Sequence, residues 1–431
     1  MKRIVVFAVV FIAAFSSSAQ EIAFLHDDFA TVCAKAKKEN KLIFIDFYTS
    51  WCGPCRAMAQ TVFKEDTVGR FFNSHFISYK LDAEKGEGKV LAAKYAVQLY
   101  PTYLFVDAGG GLFNRAIGRC SDTVFLGIAQ KARAEYTDPN SLPRLKAQYA
   151  ARKKDTAFLR LYLDKLVAAH THAFEVFEQY LAVKAIRPDS RDMMELMVKY
   201  PMEIYYGGRA AQALAQYGDR FRQMADSPQR KQLALAGNLV FSNTRNYAVE
   251  TKSEAAIRRC IAAWQKMEPY NKSFYTREGL WLTYYAATGN WNKYGLLANR
   301  WLDSICPLLK PIAVPANKKA WLAAQTPEVV AMRHAAGLLS DNAKIYREHF
   351  TGEPGVVDKA LRWTKASLTV NTDNPFALTF YANLLYEAGD SAQAVTVKTK
   401  ALNSFPPGSL HRNIVQTNLD HMKHGEALEE E

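Results

Sequence analysis

One stretch, Ile43–Arg56, constrains the fold of this chain more than any other part of the sequence. It reads IFIDFYTSWCGPCR, an apolar, β-favouring run that ends in two cysteines separated by two residues. A buried strand followed directly by such a pair predicts an open α/β sheet, with Cys52 carried to the C-terminal edge of a strand. Ligands and chemistry collect at that edge in α/β proteins, so the motif also predicts where the functional site lies.

The spacing of Cys52 and Cys55 suits thiol–disulfide exchange. Pro54 fits a first helical position because proline has no N–H to lose there, and the positive end of that helix stabilises a thiolate on Cys52. We predict an exposed Cys52 that attacks a substrate disulfide, and a Cys55 that resolves the mixed disulfide. The alternatives are an unreactive pair and a zinc half-site. Zinc needs four ligands, and the sequence has no second CxxC and no nearby histidine pair, so no metal is predicted.

Residues 28–135 alternate between helical and strand patterns. The predicted helices are 28–39, 55–63 with a second piece at 67–73, 89–96 and 122–135, and the predicted strands are 42–48, 76–81, 102–107 and 112–118. The order is therefore helix, strand, helix, strand, helix, strand, strand, helix.

This order, with WCGPC where it stands, resembles the thioredoxin family over about residues 25–136. Three further positions carry the resemblance: Asp46 on the strand before the motif, Lys80 near the end of the next strand, and the dipeptide Tyr100-Pro101. The extra stretch 62–73 is similar to periplasmic thioredoxin domains, such as the C-terminal domain of the DsbD-type transmembrane reductase. Tyr100 departs from the smaller residue usual before the family's proline, which bears on substrate preference.

The resemblance implies roles for these residues. Asp46 would be a buried acid that accepts the proton of Cys55 during resolution, with Lys80 beside it. Pro101 would follow a cis peptide bond opposite the motif. The residues expected to bind substrate are Trp51, Gly53, Pro54, Tyr100 and Pro101. The alternatives are an acid facing solvent at a strand end, a solvated Lys80, a trans proline, and ordinary packing of the two aromatic side chains.

The four other cysteines are Cys33, Cys120, Cys260 and Cys306. In a chain of 431 residues these are too few for a disulfide scaffold, so we interpret them as small apolar core residues. The sequence leaves a Cys33–Cys120 bridge open.

The first nineteen residues are typical of a secretory signal. A charged start, Lys2-Arg3, precedes the apolar stretch Ile4–Phe15 and the small residues Ser16–Ala19. The apolar stretch is short for a membrane span, which needs about 20 residues, and no later stretch is long and apolar enough. The sequence predicts an exported protein, most simply periplasmic, with secretion as the alternative and an uncleaved anchor as a third reading.

The second half of the chain shows helical periodicity and no convincing strand. Its best unit, Asn374–Pro406, resembles a tetratricopeptide repeat with a Gly389-Asp390 turn, and Thr276–Pro307 aligns to it with a Gly289-Asn290 turn. The predicted domains are a signal peptide at 1–19, a thioredoxin-like domain at 20–138 and an all-α helical-repeat domain at 139–431. Repeat arrays usually bind extended peptides or partner proteins, and the alternative is a scaffold that only stabilises the redox domain.

The predicted function is an exported thiol–disulfide oxidoreductase that reduces protein or peptide disulfides, since Gly53-Pro54 is similar to the pair in reducing thioredoxins. The sequence holds no GxGxxG, P-loop or flavin signature, so no cofactor is predicted and an external electron donor is required; a membrane thiol reductase is one candidate. The alternatives are an adaptor whose repeats do the work, and a disulfide oxidase or isomerase. The net charge of +13 is spread without a stripe of arginine and aromatic residues, so no nucleic-acid partner is predicted.

Overall fold

We describe a computed structural model of the chain, covering residues 20–266, 276–312, 326–407 and 409–429. The predicted signal segment, residues 1–19, lies outside the described residues. Two compact units divide the chain, the first ending at Lys184 and the second beginning at Ala185. No helix in the described ranges is both long enough and apolar enough to cross a membrane.

The first unit is built on a five-stranded mixed sheet in the order β1-β3-β2-β4-β5. The strands are β1 (Phe24–Leu25), β2 (Leu42–Tyr48), β3 (Phe76–Asp82), β4 (Thr102–Val106) and β5 (Leu112–Ile117). β2 pairs with β3 in parallel and with β4 antiparallel, so the strand that leads to the CxxC motif is central. Six of its seven residues are buried, as expected for a strand covered on both faces.

Helices cover both faces of this sheet. They are α1 (Phe29–Glu39), α2 (Gly53–Gln60), α3 (Asp66–His75), α4 (Gly86–Lys94) and α5 (Asp122–Thr137). One face packs Phe44, Tyr103 and Phe105 against α2, α3 and α5, and the opposite face packs Ile43, Ile45 and Phe47 against α1 and α4. This is the α/β thioredoxin fold that the sequence predicts.

Three details differ from the sequence prediction. The helix predicted at 89–96 begins earlier, at Gly86, and ends at Lys94. Strand β1 was missed, because two residues are too few to show a periodicity. The helix predicted at 55–63 begins at Gly53 and ends at Gln60, and a short 3₁₀ helix at Val62–Lys64 replaces its last turn. Pro54 is therefore the second helical residue, where its missing N–H is equally harmless.

Three helices follow the sheet within the first unit: α6 (Leu142–Tyr149), α7 (Thr156–Ala168) and α8 (Phe174–Val183). Lys165 of α7 joins them to the end of α5, since its Nζ lies 2.6 Å from Glu135 Oε1 and 2.8 Å from Asp138 Oδ2. The compact unit thus extends past residue 138. The domain limits given above stay a prediction.

The second unit is helical throughout its described residues. Its helices are α9 (Arg191–Lys199), α10 (Arg209–Met224), α11 (Ser227–Glu250), α12 (Glu254–Gln265), α13 (Arg277–Ala287), α14 (Trp291–Ile305), α15 (Pro327–His349), α16 (Val356–Val370), α17 (Pro375–Glu387), α18 (Ser391–Ser404) and α19 (Leu410–His424). An α/β fold followed by an all-α region is the architecture that the sequence predicts.

The two stretches singled out as repeat units form helical hairpins of the same design. Gly289 and Gly389 both have positive φ, 70° and 87°, where glycine is the favoured residue. Each is followed by a side chain that caps the next helix, since Asn290 accepts from the N–H of Lys293, and Asp390 from that of Gln393. Ala394 and Ala401 are fully buried, which lets the helices of the second hairpin approach closely.

Candidate active site

The CxxC motif lies at the C-terminal end of the central strand β2. Cys52 is the N-cap of α2, and it forms a disulfide with Cys55, one turn further along the same helix. The two Cα atoms are 5.3 Å apart. The Sγ of Cys52 also accepts a hydrogen bond from the N–H of Cys55 at 3.1 Å. When the disulfide is reduced, the helix N-terminus therefore supplies a donor and a positive field to a thiolate on Cys52.

The exposure of Cys52 differs from the sequence prediction. Cys52 is only 2% exposed and Cys55 4%, whereas we expected an exposed nucleophile. In the oxidised state the two sulfur atoms are bonded to each other, and the capping position turns Cys52 Sγ toward the helix. Gly53 beside it is exposed, and a Cβ at Gly53 would meet no atom within 4 Å. The residue next to Cys52 therefore adds no side chain above the disulfide.

Asp46 is a buried acid on β2, and it shares a face with Phe44 because residues two apart in a strand point the same way. Phe44 packs in the cluster that contains Met58 of α2, so Asp46 lies on the sheet face that α2 covers. Its side chain is 2% exposed. Burial raises the pKa of Asp46 to about 7, although nearby Lys80 acts to lower it. A carboxyl with this pKa takes up and releases a proton near neutral pH.

Lys80 is directly paired with Asp46 across β2 and β3. Its Nζ lies 3.7 Å from Asp46 Oδ2 and sits over the rings of Tyr48, Phe24 and Phe63, with ring-centre distances of 4.8, 5.6 and 5.9 Å. The aromatic faces stabilise the ammonium group while it is only partly solvated. The structure thus brings Lys80 to Asp46.

Tyr100 and Pro101 stand immediately before β4, and the peptide bond between them is cis. Pro101 is buried, and its carbonyl accepts a hydrogen bond from the N–H of Gly118 at 2.8 Å. The ring of Tyr100 meets Trp51 edge to face, with centroids 5.9 Å apart. The two aromatic residues predicted to flank a substrate groove are therefore in contact with each other.

Glu84 holds the other side of Trp51, and sequence reasoning missed it. The indole Nε1 of Trp51 donates to Glu84 Oε2 at 3.0 Å. Trp51 nevertheless remains 44% exposed. Glu84 lies in the polar loop between β3 and α4, which the sequence marks only as a loop. An acidic residue in a loop that follows a strand of the active-site sheet was the available signal.

The cysteines outside the motif are free thiols. Cys33 packs with Ile43 and Ile45 on one face of the sheet, and Cys120 packs with Phe44 and Tyr103 on the other. The bridge that the sequence left open is therefore wrong, because the sheet itself separates the two sulfur atoms. Cys260 is fully buried, as interpreted, whereas Cys33, Cys120 and Cys306 are partly exposed.

A second candidate site lies among α12, α13 and α14 of the helical unit. It is a groove of about 730 Å³ in which Trp281 stacks on Tyr285, with centroids 5.2 Å apart. The guanidinium of Arg258 lies 5.1 Å from the ring centre of Trp281, and the ammonium of Lys293 lies 5.8 Å from that of Tyr285. Leu296 at the groove is 74% exposed. The surface combines positive charge with apolar area.

Comparisons with known proteins find similarity in the α/β region. A family model described as thioredoxin-like matches residues 25–108. Thioredoxin H-type of Oryza sativa subsp. indica is 41% identical over 83 residues, 19% of this chain and 63% of the relative. Thioredoxin H1 of Arabidopsis thaliana is 33% identical over 96 residues, 22% of this chain and 78% of the relative. A thioredoxin structure from Thermus thermophilus has a TM-score of 0.24 at 20% identity, covering 28% of this chain and 89% of that chain.

A buried CxxC disulfide at the end of a central strand, with a cis-proline immediately before the neighbouring strand β4, defines a thioredoxin-like redox site. The chain belongs to the thioredoxin family. It spans about three fifths of the length of the first curated relatives that it matches, 63% and 59%. The likeness to those relatives does not extend to the whole chain, most of which is the helical region.

Proposed function

We propose that this protein is an exported thiol–disulfide oxidoreductase that reduces disulfides in protein or peptide substrates. The observation that carries the proposal is the Cys52–Cys55 disulfide at the N-terminus of α2. Cys52 is placed to be the attacking thiolate and Cys55 the resolving thiol. Asp46, on the face that α2 covers, accepts the proton that Cys55 loses.

Gly53 and Pro54 support the reducing direction. The pair places no additional charge or hydrogen-bond donor beside the Cys52 sulfur, so the thiolate is stabilised by the helix N-terminus alone. A less stabilised thiolate makes the dithiol the stronger reductant. An oxidase or isomerase is the alternative with the same cysteines. Equilibration of the protein with glutathione redox buffers separates them: we expect a potential below about −180 mV, and a higher value contradicts the reductase.

Export rests on the amino-terminal sequence alone. A charged start, an apolar stretch and small residues before Gln20 support cleavage by a signal peptidase. Expression of the full chain in a Gram-negative host, followed by fractionation and mass spectrometry, tests this point. A mature chain that begins near Gln20 in the periplasmic fraction is expected. An uncleaved chain in the cytosol would contradict export.

We further propose that the helical region binds substrate or partner proteins, and that the groove among α12, α13 and α14 takes an acidic segment with apolar side chains. Its lining contains four cations and one acid, Glu278: Arg258, Arg277, Lys293 and Arg300. Arg258 and Lys293 form ion pairs with the neighbouring Glu254, and Arg277 pairs with Glu278, which leaves a net positive charge. Exposed Leu296 and the stacked Trp281 offer apolar area next to this charge. Electrons for each cycle come from an external donor, for which a membrane thiol reductase is one candidate.

The adaptor alternative makes the groove, not the cysteines, the functional site. Charge reversal in the groove by Arg300→Glu tests whether the groove binds proteins. Lys231→Glu, at an exposed site outside the groove, is the control. We expect Arg300→Glu to change which proteins a Cys55→Ala variant traps, while insulin reduction by the otherwise unsubstituted chain stays the same. An unchanged trapped set with Arg300→Glu would contradict the binding role of the groove.

A further inference from the structure

Two polar atoms without a hydrogen-bond partner lie on directly paired residues beneath α2. One is Oδ1 of Asp46 on β2, and the other is the hydroxyl of Tyr103 on β4. Both residues are buried, Asp46 with 1% and Tyr103 with 0% exposure. Lys80 pairs with Oδ2 of Asp46, which leaves Oδ1 and the Tyr103 hydroxyl without a partner.

The register places these two side chains on one face of the sheet. Directly opposed residues of an antiparallel pair have Cβ atoms about 5 Å apart. The ring of Tyr103 packs edge to face on Phe125, with centroids 5.0 Å apart, and also contacts Phe44 and Phe63. The phenol is therefore fixed inside the same cluster that surrounds the acid.

The phenol is a donor that stays neutral. Burial and the neighbouring Asp46 both raise the pKa of Tyr103, so its O–H is retained at neutral pH. An ionised carboxylate only accepts hydrogen bonds, whereas a neutral phenol has one proton to donate. Leaving both atoms unpaired in the core costs stability, and pairing them removes that cost.

We propose that Tyr103 is a positioning residue for Asp46, whose ionised carboxylate accepts a hydrogen bond from a buried water that in turn accepts one from the Tyr103 hydroxyl; the two side chains are not bonded to each other directly. Lys80 then holds Oδ2 from β3 while Tyr103 holds Oδ1 from β4 through the water. A hydrogen bond to the charged form lowers the pKa of an acid, so Tyr103 opposes the effect of burial.

The other groups facing the pair are few. Tyr48 lies on the same strand as Asp46, and the pKa of Tyr48 is raised by burial and by the charges of Asp82 and Asp46. α2 presents Cys55, whose sulfur is in the disulfide. Cys120 packs against the same cluster and its charge would raise the pKa of Tyr103, while burial raises the pKa of the Cys120 thiol itself. The Ser78 hydroxyl on β3 is a further buried donor on this face without a partner. Lys80 and Tyr103 are the two residues that the sheet register pairs directly with Asp46.

The consequence for catalysis rests on the proposed function. In the resolving step Cys55 gives its thiol proton to Asp46, its sulfur forms a bond to Cys52 Sγ, and the Cys52–substrate disulfide breaks with the electron pair on the leaving substrate sulfur. Tyr103 transfers no proton in this step. It keeps Asp46 ionised at neutral pH, so that the acceptor is ready.

Titration of the Asp46 carboxyl by ¹³C NMR in the oxidised full chain tests the proposal without any turnover. Tyr103→Phe keeps the ring and removes only the hydroxyl, and we expect it to raise the pKa of Asp46 by about one unit. An Asp46 titration that matches the unsubstituted protein would overturn the proposal. The matched control is Tyr95→Phe, which removes a hydroxyl bonded to the Gly110 carbonyl on the other face of the sheet and should leave Asp46 unchanged.

A second measurement needs no variant. With ¹³Cζ-labelled tyrosine in the unsubstituted chain, the Tyr103 signal should follow the titration of Asp46, and a pH-independent signal would overturn the proposal even where Tyr103→Phe does not fold. These results are independent of the proposed reductase function. If that function is wrong, the unsubstituted chain will not reduce insulin, whatever the NMR titrations show.

Discussion

Lys80 Nζ lies 3.7 Å from Asp46 Oδ2, and the two residues are directly paired in the parallel ladder between β2 and β3. Two opposing effects therefore act on the pKa of the Asp46 carboxyl. Burial disfavours the charged form of Asp46, whereas the ammonium favours it, and the resulting pKa is about 7. An acid that would be fully ionised in water is thereby made a proton acceptor and donor at neutral pH.

The raised pKa of Asp46 predicts that Asp46→Asn stabilises the oxidised protein at pH 8 more than at pH 4. Between pH 4 and 7 the folded state holds a proton on Asp46 that the unfolded state has released, so the free energy of unfolding falls as pH rises. The difference between a pKa of about 7 and the ordinary value of 3.8 corresponds to about 4 kcal/mol by pH 8. Urea unfolding of both proteins at the two pH values measures it.

The control for this prediction is Asp27→Asn, at an exposed carboxylate on the surface before α1. Its effect on the free energy of unfolding should be below about 0.5 kcal/mol, as is usual for an exposed surface substitution. If Asp46→Asn raised the free energy of unfolding by the same amount at pH 4 and pH 8, the Asp46 carboxyl would not have the raised pKa described above.

Cys55→Ala should convert a transient mixed disulfide into a stable one. Without the resolving thiol, Cys52 stays bonded to the substrate cysteine, and the adduct survives on non-reducing gels. Cys52→Ala should form no adduct, although it retains Cys55, because Cys55 lies within the first turn of α2 and not at its capping position. Equal trapping by the two variants would contradict the assignment of nucleophile and resolver.

Glu84→Ala should raise the KM for a protein disulfide about threefold, with a smaller effect on kcat. Loss of the carboxylate frees the Trp51 indole, whose Nε1 now donates to Glu84 at 3.0 Å, and a mobile ring costs ordering entropy when substrate binds. Glu84→Gln is the matched control, since its amide oxygen still accepts from the indole. Steady-state kinetics of the unsubstituted protein and the two variants measure this effect. A KM for Glu84→Ala equal to that of Glu84→Gln would count against a role for the Trp51–Glu84 hydrogen bond.

Gly88→Ala should destabilise the α/β unit by about 1–3 kcal/mol. A Cβ at Gly88 would lie 2.0 Å from the backbone oxygen of Asp82, so the end of β3 and the loop that carries Glu84 must move. Gly127→Ala on α5 is the control, because a Cβ there meets nothing within 4 Å. Replacing glycine by alanine inside a helix stabilises it by up to about 1 kcal/mol. Thermal unfolding of the two variants should shift in opposite directions.

The sequence predicted the elements that have a strong pattern of their own. β2 is an unbroken apolar run, and the capping residues and glycines of the helical hairpins mark their turns, so these elements fall where expected. The α/β thioredoxin fold and the all-helical second half were predicted for the same reason. β1 was missed because its two residues pair with Ser78 and Tyr79 of β3 without any periodicity.

Contacts that depend on strand register or on loop conformation could not be predicted. Tyr103 reads as one apolar strand residue among several, and only the antiparallel pairing with β2 sets it opposite Asp46. Glu84 is one of several acids in a polar loop. The burial of Cys52, which caps α2 and is bonded to Cys55, depends on local conformation that the motif alone does not show. The exclusion of a Cys33–Cys120 bridge required knowing which face of the sheet each residue packs on.

Insulin reduction by the full chain, with dithiothreitol as the electron donor, tests whether Cys52 and Cys55 form a catalytic redox pair. We expect the unsubstituted protein to accelerate insulin precipitation and Cys52→Ala to lower the rate to that of dithiothreitol alone. Absence of acceleration by the unsubstituted protein, or equal acceleration by Cys52→Ala, would contradict the assignment of Cys52–Cys55 as a catalytic redox pair.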